Sequence, residues 1–266
     1  MSRPIGIFDS GIGGLTVAHA IKELLPNEQL VYFGDTAHLP YGDKSEAAIQ
    51  AYSIKITNIL IEHDCKAIVI ACNSASSAAY HLLKEYAGSK ALVVNVIDPM
   101  VRYVAKHFNS SRVGLIGTKR TIESNVYAER LGKKAPDVQL SSLATPLLAH
   151  AIEEGFIHDS ISKSLVREYL GHGHLDNIEA LILGCTHYPL IKEEISEFYE
   201  GKVQILDSAE ITAEEVKARL ILEGLEADNK GEPDKFMVSD FTSDFEHSTK
   251  LFFDEEVHLE EHRLWE

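Results

Sequence analysis

The sequence predicts an α/β fold of two similarly built halves, each with a mostly parallel sheet covered by helices on both faces. Three observations carry this expectation. Short apolar, β-branched runs alternate with longer stretches of helical period, the pattern of parallel strands joined by crossover helices. A chain of 266 residues is long for one minimal module and short for three domains, at roughly 100–200 residues per domain. Part of the chain also repeats. Ala67-Ile68-Val69-Ile70-Ala71-Cys72-Asn73 is echoed by Ala180-Leu181-Ile182-Leu183-Gly184-Cys185-Thr186, and Ile5-Gly6-Ile7-Phe8-Asp9-Ser10 by Val113-Gly114-Leu115-Ile116-Gly117-Thr118, at nearly equal offsets. Both copies of the first string end their strand in a cysteine.

The elements follow in order. A first strand, Pro4–Phe8, leads to a helix over Leu15–Leu25, which Pro26 stops because it cannot continue the hydrogen-bond ladder. A strand over Leu30–Phe33 and a helix over Ser45–His63 come next, then a strand over Ala67–Ala71 and a helix over Ala75–Tyr86. The strand Leu92–Ile97 closes the first half. Asp98-Pro99 marks the crossover, since a residue before proline is disfavoured in helix. The second half carries strands over Arg112–Ile116, Ala180–Leu183 and Val203–Leu206, with helices over Thr121–Leu131 and Ile161–Leu170. A return near Asp207-Ser208 puts the helix Ile211–Leu222 back on the first half. The expected domains are therefore residues 1–97 with 210–266, and residues 98–209. The tail from Ala227 mixes acids with Phe236, Phe241, Phe245, Phe252, Phe253 and Trp265, so a packed segment is expected there.

Charge narrows the function. There are 25 Lys and Arg against 41 Asp and Glu, a formal net charge of -16. Such a chain repels polyphosphate, which argues against nucleic acid and anionic membranes as partners. The excess concentrates in the last forty or so residues, leaving the rest able to bind a small anion. The N-terminus shows no signal-peptide pattern, and no apolar run approaches the ~18 residues of a spanning helix. Cys65, Cys72 and Cys185 are odd in number and widely spaced, unlike a disulfide framework. A cytoplasmic protein with reduced thiols is expected.

Cys72 and Cys185 are the residues of most chemical interest. Each follows an apolar strand and precedes a small polar residue and a predicted helix. In open α/β sheets, ligands bind beyond the carboxyl ends of the strands. A helix N-terminus there favours a thiolate. The plain alternative is that free cysteines pack in cores, and Cys65, with no partner feature, reads as structural. Asp9-Ser10-Gly11-Ile12-Gly13-Gly14 misses the dinucleotide fingerprint, because Thr16 stands where the third glycine belongs. It reads as a tight turn presenting Asp9 and Ser10, or simply as a helix cap by Ser10. The turn-rich Gly34–Gly42 segment has the composition of a binding loop and equally of an ordinary connection. Cys185-x-His187 lacks a second pair at zinc spacing, so no metal is expected. His187 can instead support a reactive sulfur.

Together and in order, Phe8-Asp9-Ser10-Gly11-x-Gly13-Gly14, Pro40-Tyr41-Gly42, Ala71-Cys72-Asn73 and Gly184-Cys185-Thr186-His187-Tyr188-Pro189-Leu190 resemble the glutamate racemases of the aspartate/glutamate racemase superfamily. The resemblance runs from Ile5 to about Leu222, and the Cys-Thr-His form is similar to the glutamate branch. It implies two pseudo-symmetric, three-layer α/β domains with the active site in the interdomain cleft. It also implies interconversion of L- and D-glutamate without cofactor or metal, supplying D-glutamate for peptidoglycan. By the same resemblance, Cys185 deprotonates L-glutamate and Cys72 D-glutamate. Asp9 supports Cys72 and His187 supports Cys185, and Glu153 matches a further supporting carboxylate. Ser10, Pro40, Tyr41, Gly42, Asn73, Ser74, Thr118, Thr121 and Thr186 join Asp9, both cysteines and His187 around the substrate. Ser74 stands where the family usually has threonine, keeping the hydroxyl. The resemblance admits a homodimer. The family's activator-dependent members carry an N-terminal extension absent here, so no activator is expected.

Two other classes fit parts of the pattern. A two-lobed amino-acid-binding protein predicts binding without exchange of the α-proton. A cysteine hydrolase needs only one of the two thiols.

Overall fold

Nearly unbroken apolar runs are what a parallel sheet buried on both faces requires, and the strands of this chain have that character. The computed structural model describes residues 3–229, 231–253 and 257–265. The chain divides into two compact units, Met1–Val96 with Ala209–Glu266, and Ile97–Ser208.

The first unit opens with β1 (Ile5–Asp9), α1 (Leu15–Leu24) and β2 (Leu30–Gly34). Two 3-10 turns, Thr36–His38 and Tyr41–Asp43, lead to α2 (Glu46–Glu62), β3 (Ala67–Ile70), α3 (Asn73–Ala87) and β4 (Leu92–Asn95). The second unit holds α4 (Ile97–His107), β5 (Arg112–Gly117), α5 (Lys119–Glu123), α6 (Val126–Lys134) and β6 (Gln139–Ala144). It continues with α7 (Pro146–Glu153), α8 (Ser160–Leu170) and β7 (Ala180–Gly184), then a 3-10 turn Tyr188–Ile191, α9 (Lys192–Phe198) and β8 (Gln204–Leu206). The chain returns with α10 (Ser208–Glu223), β9 (Lys235–Val238), α11 (Ser243–Phe253) and β10 (Leu259–Glu261).

The first sheet has the order β10-β9-β2-β1-β3-β4, and every pairing is parallel. Side chains alternate across it. Phe8, Phe33, Ile68, Ile70 and Met237 pack with Ile49, Ile56 and Leu60 of α2 and with Ala75, Ala79 and Leu83 of α3. Those α2 residues recur at helical spacing, and Ser45 caps the helix by accepting from the Ala48 amide at 3.3 Å. The opposite face carries Ile7, Tyr32 and Phe236 in register. There Phe236 meets Phe253 of α11 edge-on at 5.2 Å, and Phe253 meets His19 of α1 at 5.6 Å. Helices thus cover both faces, as expected.

The second sheet, β6-β5-β7-β8, is also all parallel and repeats the inner order β2-β1-β3-β4. The echo in the sequence is therefore an echo of topology. β3 and β7, the strands before Cys72 and Cys185, hold the same place in their sheets.

Several local expectations are corrected. Asp98-Pro99 does not interrupt the helix; α4 starts at Ile97 and includes both residues. Pro99 is its third residue, where a missing N–H costs nothing because the first-turn donors have no intrahelical acceptor. Asp98 also pairs with Arg130 of α6. The expected helix Thr121–Leu131 is two helices, α5 and α6, broken at Asn125, which takes a left-handed φ of 53°; asparagine tolerates this better than most residues. The sequence reading passed over β6, whose Gln139-Leu140-Ser141-Ser142 stretch is only half-buried and polar at an edge. It also passed over α7, α9 and α11. The aromatic tail is packed: β9 and β10 extend the first sheet, and Phe236, Phe252 and Phe253 are buried, although Phe241 and Trp265 are exposed.

The returning segment is tied down by charge. Lys66 Nζ lies 2.6 Å from Glu28, both side chains are buried, and the ammonium also donates to the Leu225 carbonyl at 2.6 Å. Glu28 accepts in turn from the Ala227 amide at 2.9 Å.

Candidate active site

In the first unit the site is built at the carboxyl ends of β1 and β3. Beyond β1 the chain turns sharply back toward α1. Asp9 is fully buried, and its Oδ2 accepts from the Gly11 amide at 3.1 Å. The turn packs so closely that a Cβ on Gly14 would lie 2.5 Å from the Asp9 Cβ, and one on Gly34 would lie 2.3 Å from the Gly11 carbonyl oxygen. Tyr32 of β2 donates to that same carbonyl at 2.8 Å. Ser10 is not a helix cap, since α1 begins only at Leu15, with Gly14 at its N-cap and no side-chain cap.

Cys72 occupies the N-cap of α3, and its sulfur accepts from the Ala75 amide at 3.4 Å. A helix N-terminus favours negative charge at that place. The sulfur also lies 3.7 Å from Ser10 Oγ, so the β1 turn and the β3 end meet there. Asn73 and Ser74, the first two residues of α3, are buried. Burial raises the Tyr32 phenol well above its ordinary range, helped by the charges of Asp9 and Cys72.

Pro40, Tyr41 and Gly42 lie at and within the second 3-10 turn. Pro40 is exposed, while Tyr41 is buried and donates to Asp35 Oδ2 at 2.6 Å. Burial and then the Asp35 charge keep its phenol protonated, and Tyr41 belongs to the same buried cluster as Cys72. Asp35 is itself fully buried. Its Oδ1 accepts from Ser239 Oγ at 2.7 Å and faces His38 Nδ1 at 2.8 Å.

In the second unit, Cys185 follows β7 directly. The next segment is a 3-10 turn, not the expected helix. The Tyr188 amide donates to the Cys185 carbonyl at 3.2 Å, and Pro189 has no N–H for the α-helical bond to the same carbonyl. Cys185 Sγ lies 3.6 Å from His187 Nδ1, and His187 Nε2 lies 2.9 Å from Glu153 Oε1 at the end of α7. Burial alone lowers the His187 imidazole. The close contacts with Cys185 and Glu153, and their charges, outweigh burial and hold it well above its usual range. Cys185, His187 and Glu153 thus form a continuous chain of sulfur, imidazole and carboxylate. Thr186 is buried between the cysteine and the histidine in sequence. Thr118 caps α5 at the end of β5, accepting from the Thr121 amide at 3.2 Å, with the two hydroxyls 3.1 Å apart.

Each unit therefore gathers its own share of the expected residues. The first brings together Asp9, Ser10, Cys72, Asn73, Ser74 and the Tyr41 turn; the second brings together Cys185, Thr186, His187 and Glu153, with Thr118 and Thr121 on the neighbouring strand end. Sequence reasoning missed Tyr32, Asp35, Thr145 and Tyr188. Tyr188 lies inside a quoted motif, and its buried hydroxyl meets Thr145 Oγ1 at 2.8 Å and donates to the Thr145 carbonyl at 3.0 Å. Cys65 is buried apart from these groups, against the position of Gly6, and burial pushes its thiol up to about 12. Among the described residues no group of three or more His, Cys, Asp and Glu side chains is arranged to hold a metal, and no helix is long and apolar enough to cross a membrane.

Residues 11–216 match the family described as Asp/Glu/Hydantoin racemase. A glutamate racemase of Neisseria meningitidis is 42% identical over 244 residues, covering 91% of this chain and 90% of the relative. Among solved structures, glutamate racemase from Francisella tularensis in complex with D-glutamate superposes with a TM-score of 0.92 at 39% identity, over 99% of this chain and 98% of that one. Escherichia coli glutamate racemase, in complex with L-glutamate and the activator UDP-MurNAc-ala, does so at 0.75 and 29%, over 91% of each chain. With its topology, its motifs and its relatives in agreement, the chain belongs to the glutamate racemases of the Asp/Glu/hydantoin racemase family.

Proposed function

We propose that this chain interconverts L- and D-glutamate by a two-thiol mechanism that uses no cofactor, acting in the cytoplasm and supplying D-glutamate for peptidoglycan. One observation carries the mechanism: each unit ends the equivalent strand on a buried cysteine, and each sulfur has polar company suited to a thiolate. Racemisation needs a base on one face of the α-carbon and an acid on the other, with the roles exchanged in the reverse direction. Two thiols of matched chemistry meet that need.

From L-glutamate, the Cys185 thiolate takes the α-proton and the C–H electron pair stays on the α-carbon, spread into the carboxylate. The Cys72 thiol then gives its proton to the opposite face. Cys185 ends as thiol and Cys72 as thiolate, ready for D-glutamate. A protonated His187, sustained by Glu153, favours the negative charge on Cys185, while Asp9 serves Cys72. Ser10, Asn73, Ser74 and the Pro40-Tyr41-Gly42 turn supply donors and shape from the first unit, as Thr118, Thr121 and Thr186 do from the second. Preorganised N–H and O–H donors of this kind stabilise the carbanionic state more than the ground state.

The test is proton NMR of L-glutamate, and separately D-glutamate, with purified protein in D₂O and no added cofactor. The α-proton signal is expected to disappear while the circular dichroism of either enantiomer decays to zero. Exchange with aspartate and not glutamate would move the activity to the sister branch of the family. Exchange with neither would overturn the racemase reading.

A further inference from the structure

The Cys185–His187–Glu153 chain joins two stretches of backbone that are distant in sequence, and both meet at one buried side chain outside it. Glu194 lies in the first turn of α9, just beyond the 3-10 turn that follows His187. Its side chain is 1% exposed. Oε1 accepts from the His158 backbone amide at 2.7 Å and from Ser162 Oγ at 3.3 Å, and lies 3.2 Å from His158 Nδ1. Oε2 has no hydrogen-bond partner among the described residues.

These partners define the connection between α7 and α8. Glu153 is the last residue of α7, and the chain then reverses through Gly155 at φ 81° and His158 at φ 57°. Glycine adopts such a conformation freely; histidine tolerates it better than most residues but still at a cost that surrounding contacts must offset. Here the backbone N–H of the left-handed residue is the group that Glu194 accepts from at short range. The opposite end of the same connection is pinned by the Asp159–Ser162 capping box of α8, and Ser162 is a further Glu194 donor. A buried carboxylate with one oxygen unpartnered is a costly way to hold a turn if stability alone is served.

We propose that Glu194 is a positioning residue for the Cys185–His187–Glu153 chain: its carboxylate clamps the α7–α8 turn to the segment that continues from His187, and so sets the Glu153–His187 contact. The inference rests on the reading above, in which Glu153 sustains His187 beside Cys185. Its consequence is that loss of Glu194 lets the end of α7 relax, lengthening a contact that His187 depends on for its charge.

The experiment compares wild type with Glu194→Ala, Glu194→Gln and the pair Glu194→Ala/His158→Gly. In Glu194→Ala, kcat with glutamate should fall about tenfold to a hundredfold with KM little changed, as misplacement of a catalytic group does. The His187 imidazole midpoint, read by NMR, should fall toward its ordinary value. Glycine at 158 holds the left-handed turn without help, so adding His158→Gly should restore most of both readouts. Glu194→Gln keeps an acceptor for the His158 amide and should lose less than Glu194→Ala. The proposal is overturned if Glu194→Ala lowers the melting temperature yet leaves kcat and the His187 midpoint unchanged, or if His158→Gly restores neither. Should Glu194→Ala alone fail to fold, the paired variant decides: an active protein supports the proposal, and a folded, inactive one overturns it. Glu153→Gln in the same assays separates the two levels. If it moves neither readout, the role of Glu153 itself fails; if it moves both while Glu194→Ala moves neither, only the positioning role fails.

Discussion

Asp9 has little room to move: the Gly11 amide holds its carboxylate, and Gly14 lies against its Cβ. Gly14→Ala should therefore displace Asp9 or the turn. Overpacking of this kind costs about 1–3 kcal/mol, and racemisation should fall with it, read by thermal melts and by polarimetry on one preparation. His187 gives a second residue-scale prediction. Its folded-state pKa is raised, so the stability it contributes is fully present below the ordinary imidazole value of about 6.5. That contribution is lost as pH rises through the raised value, when the imidazolium beside Cys185 and Glu153 gives up its proton. Urea unfolding of wild type should weaken across that window, and His187→Asn should remove that part of the pH dependence. Asp9, Cys72, Cys185 and His187 are legible in the sequence because their motifs are local. Asp35 is not, because its worth comes from Ser239, about two hundred residues away.

The two cysteine-bearing strand ends differ at the scale of elements. Cys72 caps a fifteen-residue α-helix, whereas Pro189 turns the chain after Cys185 into 3-10 geometry and leaves its sulfur to an imidazole. The two thiols are thus electrostatically supported by different means, a helix terminus in one unit and a charged side-chain pair in the other. The Lys66–Glu28 pair belongs to this scale as well, because it joins the start of β3, the approach to β2 and the segment after α10. Removing one partner of a buried pair strands the other, so Lys66→Met should destabilise the protein by about 3–5 kcal/mol. KM for glutamate should stay near its original value, since Lys66 precedes β3 whereas Cys72 lies beyond the opposite end of that strand; denaturant melts and initial rates check the two halves of this prediction. Element boundaries were readable wherever apolar period and stop signals agreed, as at β1, β2, β3 and α2. They were not readable where the deciding fact is tertiary. Half-buried β6 gains its place by pairing with β5, and α4 runs through Asp98-Pro99 because its first turn needs no amide there.

At the scale of the whole molecule, each compact unit has a cysteine just beyond the equivalent strand, Cys72 after β3 and Cys185 after β7. A two-thiol racemase needs both, so Cys72→Ser and Cys185→Ser should each abolish racemisation of both enantiomers. The expected loss is at least about a hundredfold, the lower end of what a general acid or base contributes, measured by circular dichroism from L- and from D-glutamate. A hydrolase or a binding protein would not show equal sensitivity at the two positions. The sequence by itself determined the α/β class, the duplication and the position of a cysteine after each of two equivalent strands, because apolar period and strand-end motifs are written in neighbouring positions. Only the tertiary structure decided that the tail completes the first sheet, that Glu153 reaches His187 and that Glu194 holds the turn beside them. Those facts depend on contacts between residues far apart in the chain, and such contacts leave no periodic mark in the sequence.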